Sequence, residues 1–373
     1  MNIGIVCYPT YGGSGIVATE LGISLANRGH KIHFISYALP MRLDEFIPNI
    51  YFHEVEFSNY PLFEFPLYTP SLASKIVEVA KFQNLDIVHA HYAIPHATSA
   101  YLAKQILNDN KLKVITTLHG TDITLVGMEP YFLPVMKFSI EQSDGVTAVS
   151  HFLKDMTIKN YNIQKEIEVI PNFVDSKKYS RKINFEFRNR IAPKENKIIV
   201  HISNFRAVKR VEDVIKIFNN ICKIVTSTLV LVGDGPERSS IEKMIRTLKL
   251  EDKVRCLGKQ SDLVEILSIA DLFLLPSQIE SFGLAALEAM SCGVPVVSSN
   301  SGGLTEVVIN NETGFTADVG DIDNFTKYSL QILQNKELHN SFMNASINRA
   351  HKYFEMDQIV DRYENYYLKI LQS

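Results

Sequence analysis

The sequence predicts an α/β protein of two doubly wound, Rossmann-like domains built on parallel sheets. Three observations carry this. At 373 residues the chain exceeds the usual size of a single hydrophobic core. Short apolar runs alternate with helical patterns, as the strands of a parallel sheet buried on both faces do. The alternation breaks near Ile170-Pro-Asn-Phe-Val-Asp175 and restarts at Lys197. The expected domains are residues 1–172 and 173–355, with 356–373 an amphipathic helix that packs back on the first.

Each element follows in order. Asn2-Ile-Gly-Ile-Val-Cys-Tyr8 reads as a strand, followed by Gly12-Gly13-Ser14-Gly15 and a helix ending near Arg28-Gly29-His30. The next strands are Lys31–Ser36, Leu85–His89, Lys113–Leu118 and Gly145–Val149. Residues 176–196 are charged and poorly periodic, as a linker would be. The second half begins with the strand Lys197–Ser203, a helix from about Val211, and the strand Ser227–Val232 closed by Gly233-Asp-Gly-Pro236. Strands Val254–Leu257, Asp271–Leu275 and Val294–Ser298 continue it. The strand ends of two such units are expected to face a central cleft, where doubly wound sheets bind ligands.

Composition narrows the function. Hydrophobic residues make up 46% and charged residues 21%, an ordinary globular balance. A net charge of -3 argues against nucleic acid or an anionic membrane as the main partner. Cys7, Cys222, Cys256 and Cys292 are scattered, which favours buried thiols over disulfides or a zinc site. No apolar run approaches a membrane span. Met1 leads straight into a strand without a basic leader, so a cytoplasmic protein with no stable membrane association is expected.

The most informative stretch is Glu280-Ser-Phe-Gly-Leu-Ala-Ala-Leu-Glu288, after a strand and opening a helix whose first turn carries Gly283. A helix start offers backbone N–H groups and a positive dipole end, which attract phosphate. Glu288 stands among apolar neighbours, a costly setting unless something hydrogen-bonds the charge. At about 100° per residue the two carboxylates would lie about 80° apart on one helix, so Glu280 belongs in the preceding loop. The pattern suits a nucleotide sugar. Arg206, Lys209 and Arg210 follow the first strand of the second half, where a cation neutralises a leaving diphosphate; a solvated basic loop is the alternative. Gly233-Asp-Gly-Pro-Glu237 reads as a structural turn.

In the first half, the Gly12–Gly15 loop lacks the G-x-G-x-x-G spacing, and no acidic residue closes the second strand, which disfavours a nicotinamide site. It is either a tight turn or a loop whose amides meet an anion. Thr116-Thr117-Leu118-His119-Gly120-Thr121-Asp122 ends a strand, with His119 placed to face a ligand and Asp122 placed to cap a helix. His89-Ala-His91-Tyr92-Ala-Ile-Pro-His96 resembles a metal site, but His89 and His91 are expected on opposite strand faces, and no metal is expected. Tyr92, just past that strand, is placed to reach a substrate. Asp321-Ile-Asp323 follows Gly320 at a helix start and reads as a cap.

Together these pieces resemble the retaining glycosyltransferases of family 4, which have the GT-B fold. The resemblance spans nearly the whole chain. It rests on the Gly-rich first loop, His119-Gly-Thr-Asp122, Ile170-Pro-Asn-Phe-Val-Asp175, Gly233-Asp-Gly-Pro236 and the two glutamates eight apart. More narrowly, Cys7-Tyr-Pro-Thr-Tyr-Gly-Gly-Ser-Gly15, His91-Tyr-Ala-Ile-Pro-His96 and Ser203-Asn-Phe-Arg-Ala-Val-Lys-Arg210 resemble one branch of the family. Its members move N-acetylglucosamine from UDP-GlcNAc to the hydroxyl of L-malate, the first step of bacillithiol biosynthesis.

The resemblance implies that Glu288 holds the ribose, Glu280 the donor sugar and Lys209 the phosphates. It puts Gly13 and the amides around Phe282, Gly283 and Leu284 at the diphosphate or sugar, His119 at the donor sugar, and Lys259 and Gln260 at the uracil. His119, Lys209 and Glu280 are then the catalytic set. Asn204 stands where many members carry Arg, so Arg206 is the substitute cation. Ser14, Tyr92, Thr117 and Arg206 are the acceptor candidates. No cofactor is implied beyond the donor, and a homo-oligomer stays open. Other readings also stay open: a family 4 enzyme acting on a lipid or polysaccharide, a UDP-sugar epimerase on the same fold, or a non-catalytic sugar-nucleotide binding module.

Overall fold

The computed structural model describes residues 1–10, 12–43, 45–57, 65–108, 111–125, 127 and 129–373, without the side chain of Leu125. The chain divides into two units, Met1–Asn172 with Asp357–Ser373, and Phe173–Met356.

Among the described residues the first unit holds seven strands: β1 (Asn2–Val6), β2 (Lys31–Ser36), β3 (Ile50–Glu54), β4 (Ile87–His91), β5 (Lys113–Leu118), β6 (Gly145–Ala148) and β7 (Glu168–Val169). All are parallel, in the order β3-β2-β1-β4-β5-β6-β7. Burial explains the continuous apolar runs: Ile3, Ile5, Ile32, Phe34, Ile87 and Val88 have no exposed surface. The order reverses direction between β1 and β4, so the loops leaving these neighbouring strands run to opposite sides and leave a crevice at their carboxyl ends.

The second unit repeats the plan with β8 (Lys197–Ile202), β9 (Ser227–Val232), β10 (Val254–Gly258), β11 (Leu272–Leu275), β12 (Val296–Ser299) and β13 (Gly314–Ala317). The order is β10-β9-β8-β11-β12-β13, again all parallel, with its reversal between β8 and β11. Its core packs Ile199, Leu229, Leu231, Leu272 and Leu274 against Val214, Phe218 and Phe325 from the covering helices. The α/β, Rossmann-like prediction therefore holds in both halves.

Three details differ from the sequence reading. Residues 176–196 are not a plain linker: they contain the helix Phe185–Ile191, and Arg181 donates to Ser268 O, Ala270 O and Gly293 O, which fixes them to the second unit. The edge strands β3, β7 and β13 were not among the expected strands: β3 is partly exposed with a half-polar run, β7 has two residues and β13 four. Of the cysteines only Cys7 and Cys292 are buried; Cys256, on the edge strand β10, is exposed.

The last helix, Met356–Gln372, buries Tyr363, Tyr366 and Tyr367 against the first unit. The Tyr366 hydroxyl accepts from Val146 N at 2.9 Å, and that of Tyr367 lies 2.8 Å from His89 Nδ1. Arg28 pairs with Asp361 at 2.5 Å and with Glu364. Asp321 caps the helix Ile322–Gln334, accepting from Asn324 N at 3.0 Å, as its sequence context predicts.

Candidate active site

The crevice of the second unit is lined by the loops after β8 and β11. Lys209 closes the short turn Ala207–Lys209 after β8, and Ser277 and Glu280 follow β11. Lys209 Nζ donates to Glu280 Oε1 at 2.6 Å, and Ser277 Oγ donates to the same oxygen at 2.9 Å. Gln278 N donates to Val208 O at 2.7 Å, so the two loops are joined through backbone as well as charge. Both charged side chains are largely buried, at 19% and 13% exposure, where attraction is stronger than at an open surface. His201 beneath them is held neutral: burial pushes it down to about 4 while Leu274 O accepts from Nδ1.

Gly283 precedes the helix Leu284–Ser291 as its N-cap, not within its first turn, with φ +102. A Cβ there would stand 2.5 Å from Leu304 Cδ2, so the turn itself requires the glycine. Glu280 lies in the loop before it, as the angular argument requires. Glu288 is 5% exposed, and the Tyr179 hydroxyl donates to its Oε1 at 2.6 Å. The protein itself thus supplies a partner for a carboxylate that sequence reasoning left to the ligand.

A second loop supports this one from beneath. Gly303 N donates to Glu280 O at 2.8 Å, and Ser301 Oγ to Gln278 O at 2.8 Å. Gly302 has φ +64, and a Cβ there would meet Glu280 O at 2.2 Å. Gly302→Ala therefore strains its own backbone and presses on a carbonyl that Gly303 N already holds, costing about 2–4 kcal/mol of stability. A displacement of Glu280 by about 1 Å is expected to lower turnover on the order of a hundredfold. Thermal melts and steady-state rates on Gly302→Ala check this; wild-type rates would remove the support role.

The remaining residues expected at the donor are placed less closely. Lys259 and Gln260 follow β10 and are exposed, with Gln260 Nε2 donating to Leu257 O at 2.6 Å. Arg206 is exposed, whereas Arg210 is taken by Asp213 at 2.5 Å. Phe282 turns its ring inward against Phe354, 5.5 Å between centroids. Leu284 is half-buried. The Gly233–Glu237 turn packs on the Ser203–Phe205 backbone, with Glu237 N donating to Phe205 O at 3.0 Å, which bears out its structural reading.

In the first unit the crevice lies between the loops after β1 and β4. Gly13 begins the helix Gly13–Asn27 with its backbone exposed. Ser14 Oγ, on the first turn of that helix, and Tyr92 OH, just after β4, are 2.6 Å apart, so these two acceptor candidates form a single polar pair. Tyr92 holds φ +102, and its N–H donates to Thr117 O at 3.0 Å. Thr117 is fully buried, with its hydroxyl 2.7 Å from both His89 Nε2 and Thr147 Oγ1. Thr117 thus lies beneath the surface and supports Tyr92; it is removed from the direct acceptor contacts.

The histidines also correct the reading. Positions two apart on a strand share a face, and the His89 and His91 rings lie 4.3 Å apart. His91 Nδ1 and His119 Nε2 are 2.8 Å apart, so one ring donates to the other. Burial pushes His119 down to about 3, leaving it a neutral ring suited to a sugar hydroxyl. Asp122 does not cap a following helix. Its Oδ1 accepts from Gly120 N and its Oδ2 from Ala93 N, both at 3.0 Å, which staples the loop after β5 to the loop after β4. Burial raises it to about 6 despite those amides. Among the described residues, no group of three or more His, Cys, Asp or Glu is arranged to hold a metal ion.

Sequence reasoning missed Tyr179, Ser277, the contact of His91 with His119 and the Gly302–Gly303 support. Only the last carries a local signal, a Gly-Gly pair between a strand and a helix.

The chain matches two family models, "Glycosyltransferase Family 4" over residues 11–178 and "Glycosyl transferases group 1" over 182–349. It is 46% identical to the N-acetyl-alpha-D-glucosaminyl L-malate synthase of Bacillus anthracis, over 100% of this chain and 98% of that protein. It is 24% identical to the phosphatidylinositol N-acetylglucosaminyltransferase GPI3 subunit of Saccharomyces cerevisiae, over 98% of this chain and 83% of that one. Among solved structures it resembles a glycosyltransferase from Rickettsia africae at TM-score 0.82 and 23% identity, covering 100% and 99% of the two chains. HepE of Anabaena, solved with UDP and glucose, aligns at TM-score 0.83 and 20% identity, covering 98% and 99%.

Proposed function

As the chain belongs to glycosyltransferase family 4, we propose that it transfers N-acetylglucosamine from UDP-GlcNAc to the hydroxyl of L-malate, with retention at the anomeric carbon. The observation that carries this reading is the 46% identity, end to end, with a relative named for that reaction. In the reaction the bond from the anomeric carbon to the β-phosphate oxygen breaks, and a bond to the malate hydroxyl oxygen forms on the same face. The departing phosphate takes the hydroxyl proton, and UDP leaves.

The residues divide accordingly. Lys209 neutralises the diphosphate, the amides from Phe282 to Leu284 bind phosphate or sugar, Glu280 holds sugar hydroxyls and Glu288 the ribose. Lys259 and Gln260 flank the uracil, and neutral His119 meets the donor sugar. The Gly13 amide meets the diphosphate or sugar, and Ser14, Tyr92 and Arg206 receive the malate carboxylates. Such a site works by positioning and by stabilising charge on the leaving group. The proposal includes metal independence and a cytoplasmic location; no helix among the described residues is long and apolar enough to cross a membrane.

UDP release from UDP-GlcNAc, measured with L-malate added and omitted, tests the reading. Release dependent on malate and unchanged by a chelator is the expected result. Release only with some other acceptor would refute the malate assignment, and loss of the rate on chelation would refute metal independence.

A further inference from the structure

We infer that Tyr179 is a positioning residue for nucleotide recognition, its hydroxyl fixing the Glu288 carboxylate for the ribose hydroxyls of the donor. The inference rests on the reading above that Glu288 meets the ribose. Glu288 belongs to the buried face of Leu284–Ser291, beside Leu287, Ala289 and Met290, which have no exposed surface. A carboxylate there needs strong hydrogen bonds, and the 2.6 Å contact from the Tyr179 hydroxyl is short, as bonds to an ionised acceptor are.

The backbone that carries the phenol is held on several sides. Tyr179 N donates to Asp175 O at 2.8 Å, and Asp175 Oδ1 accepts from Lys177 N at 2.9 Å, closing a tight turn. Ser291 Oγ donates to Tyr179 O at 2.7 Å, from the same helix as Glu288 and three residues beyond it. Two residues after Tyr179, Arg181 grips three carbonyls of the second unit. The Tyr179 ring is 4% exposed. A phenylalanine would fill the same space, so the hydroxyl is the informative atom. A rigid donor on one carboxylate oxygen restricts the rotation of a side chain with three torsions, and ordering it in advance lowers the entropy lost on binding.

Tyr179→Phe deletes that one atom. Binding of UDP and of 2′-deoxy-UDP is measured for the wild type, Tyr179→Phe and Glu288→Gln, together with donor KM and kcat for Tyr179→Phe. The expected result for Tyr179→Phe is about a tenfold weaker Kd for UDP with little change for 2′-deoxy-UDP, so the preference for the ribose hydroxyl collapses. KM for the donor rises about tenfold while kcat falls less than about threefold, a split expected of an interaction made equally in ground and transition states. A merely structural role would weaken both nucleotides alike. The ratio of the two dissociation constants does not depend on the fraction of protein folded, so partial instability does not obscure the outcome. If Glu288→Gln abolishes the preference and Tyr179→Phe keeps it, the Tyr179 inference alone is overturned. If Glu288→Gln keeps the preference, the ribose reading falls and the inference falls with it.

Discussion

Lys209→Ala is expected to lower kcat/KM for the donor by about three orders of magnitude, equivalent to about 4 kcal/mol of transition-state stabilisation. Two losses combine. The leaving diphosphate gains charge as the glycosidic bond breaks, and Lys209 is the cation beside the loop proposed to hold it. Its removal also leaves Glu280, 13% exposed, with the Ser277 hydroxyl but without its ion pair at 2.6 Å. A largely buried carboxylate that loses its cation is destabilised and repels an incoming diphosphate. The two contributions separate by ligand. UDP binding should weaken strongly in Lys209→Ala, whereas uridine, which has no phosphate, should bind as before. Lys209→Arg should recover part of the rate, since charge is restored but not the compact ammonium geometry. Exposed Arg206 gives the contrast: Arg206→Ala should act mainly on the KM for malate. A loss of less than about tenfold in Lys209→Ala would show that the diphosphate charge is met elsewhere.

The ion pair also shows where sequence reasoning reaches its limit. The parallel sheets were legible because fully buried strands read as unbroken apolar runs, as in Lys197–Ile202 and Ser227–Val232. Glu280 and Glu288 were legible because a strand, a glycine turn and a helix start stand together within a few residues. Pairing across the fold was not. Lys209 and Glu280 are 71 residues apart, and Tyr179 and Glu288 are 109 apart. Each pair meets because β8 and β11 are neighbours at the reversal of strand order, or because the segment after Asn172 lies back along the second unit. Composition and periodicity carry no trace of either. Thr117 fails for a related reason: a threonine at a strand end looks available until His89 and Thr147 are found on its hydroxyl. The facing of His89 and His91 was legible in principle, since a period of two puts both rings on one side.

That shared face underlies the second large effect, an acid instability centred on the first unit. His89, His91 and His96 have no exposed surface, and burial lowers all three: His89 to about 3, His96 to about 4 and His91 well below its usual value. A histidine whose folded value is depressed contributes stability above its unfolded value near 6.5, and loses it as pH falls toward the folded value. At pH 5 the unfolded chain binds protons that the folded unit refuses, which costs about 2 kcal/mol each for His89, His96 and the likewise lowered His119, about 6 kcal/mol together, and His91 adds to the loss in the same direction. Asp122 works in the other direction. Raised to about 6, it contributes stability at low pH that is lost as pH rises through 6, so it returns about 1 kcal/mol at pH 5. The net loss is comparable to the whole stability of a typical domain, about 5–15 kcal/mol. In the second unit His201 is the fully buried histidine, lowered to about 4, so the same acid step costs that unit about 2 kcal/mol. Hydrogen exchange between pH 7 and pH 5 should therefore show the amides of β4 and β5 losing protection before those of β8 and β9. Equal loss in both sheets, or none in β4 and β5, would mean that the His89–His91–His119 cluster accepts protons without opening.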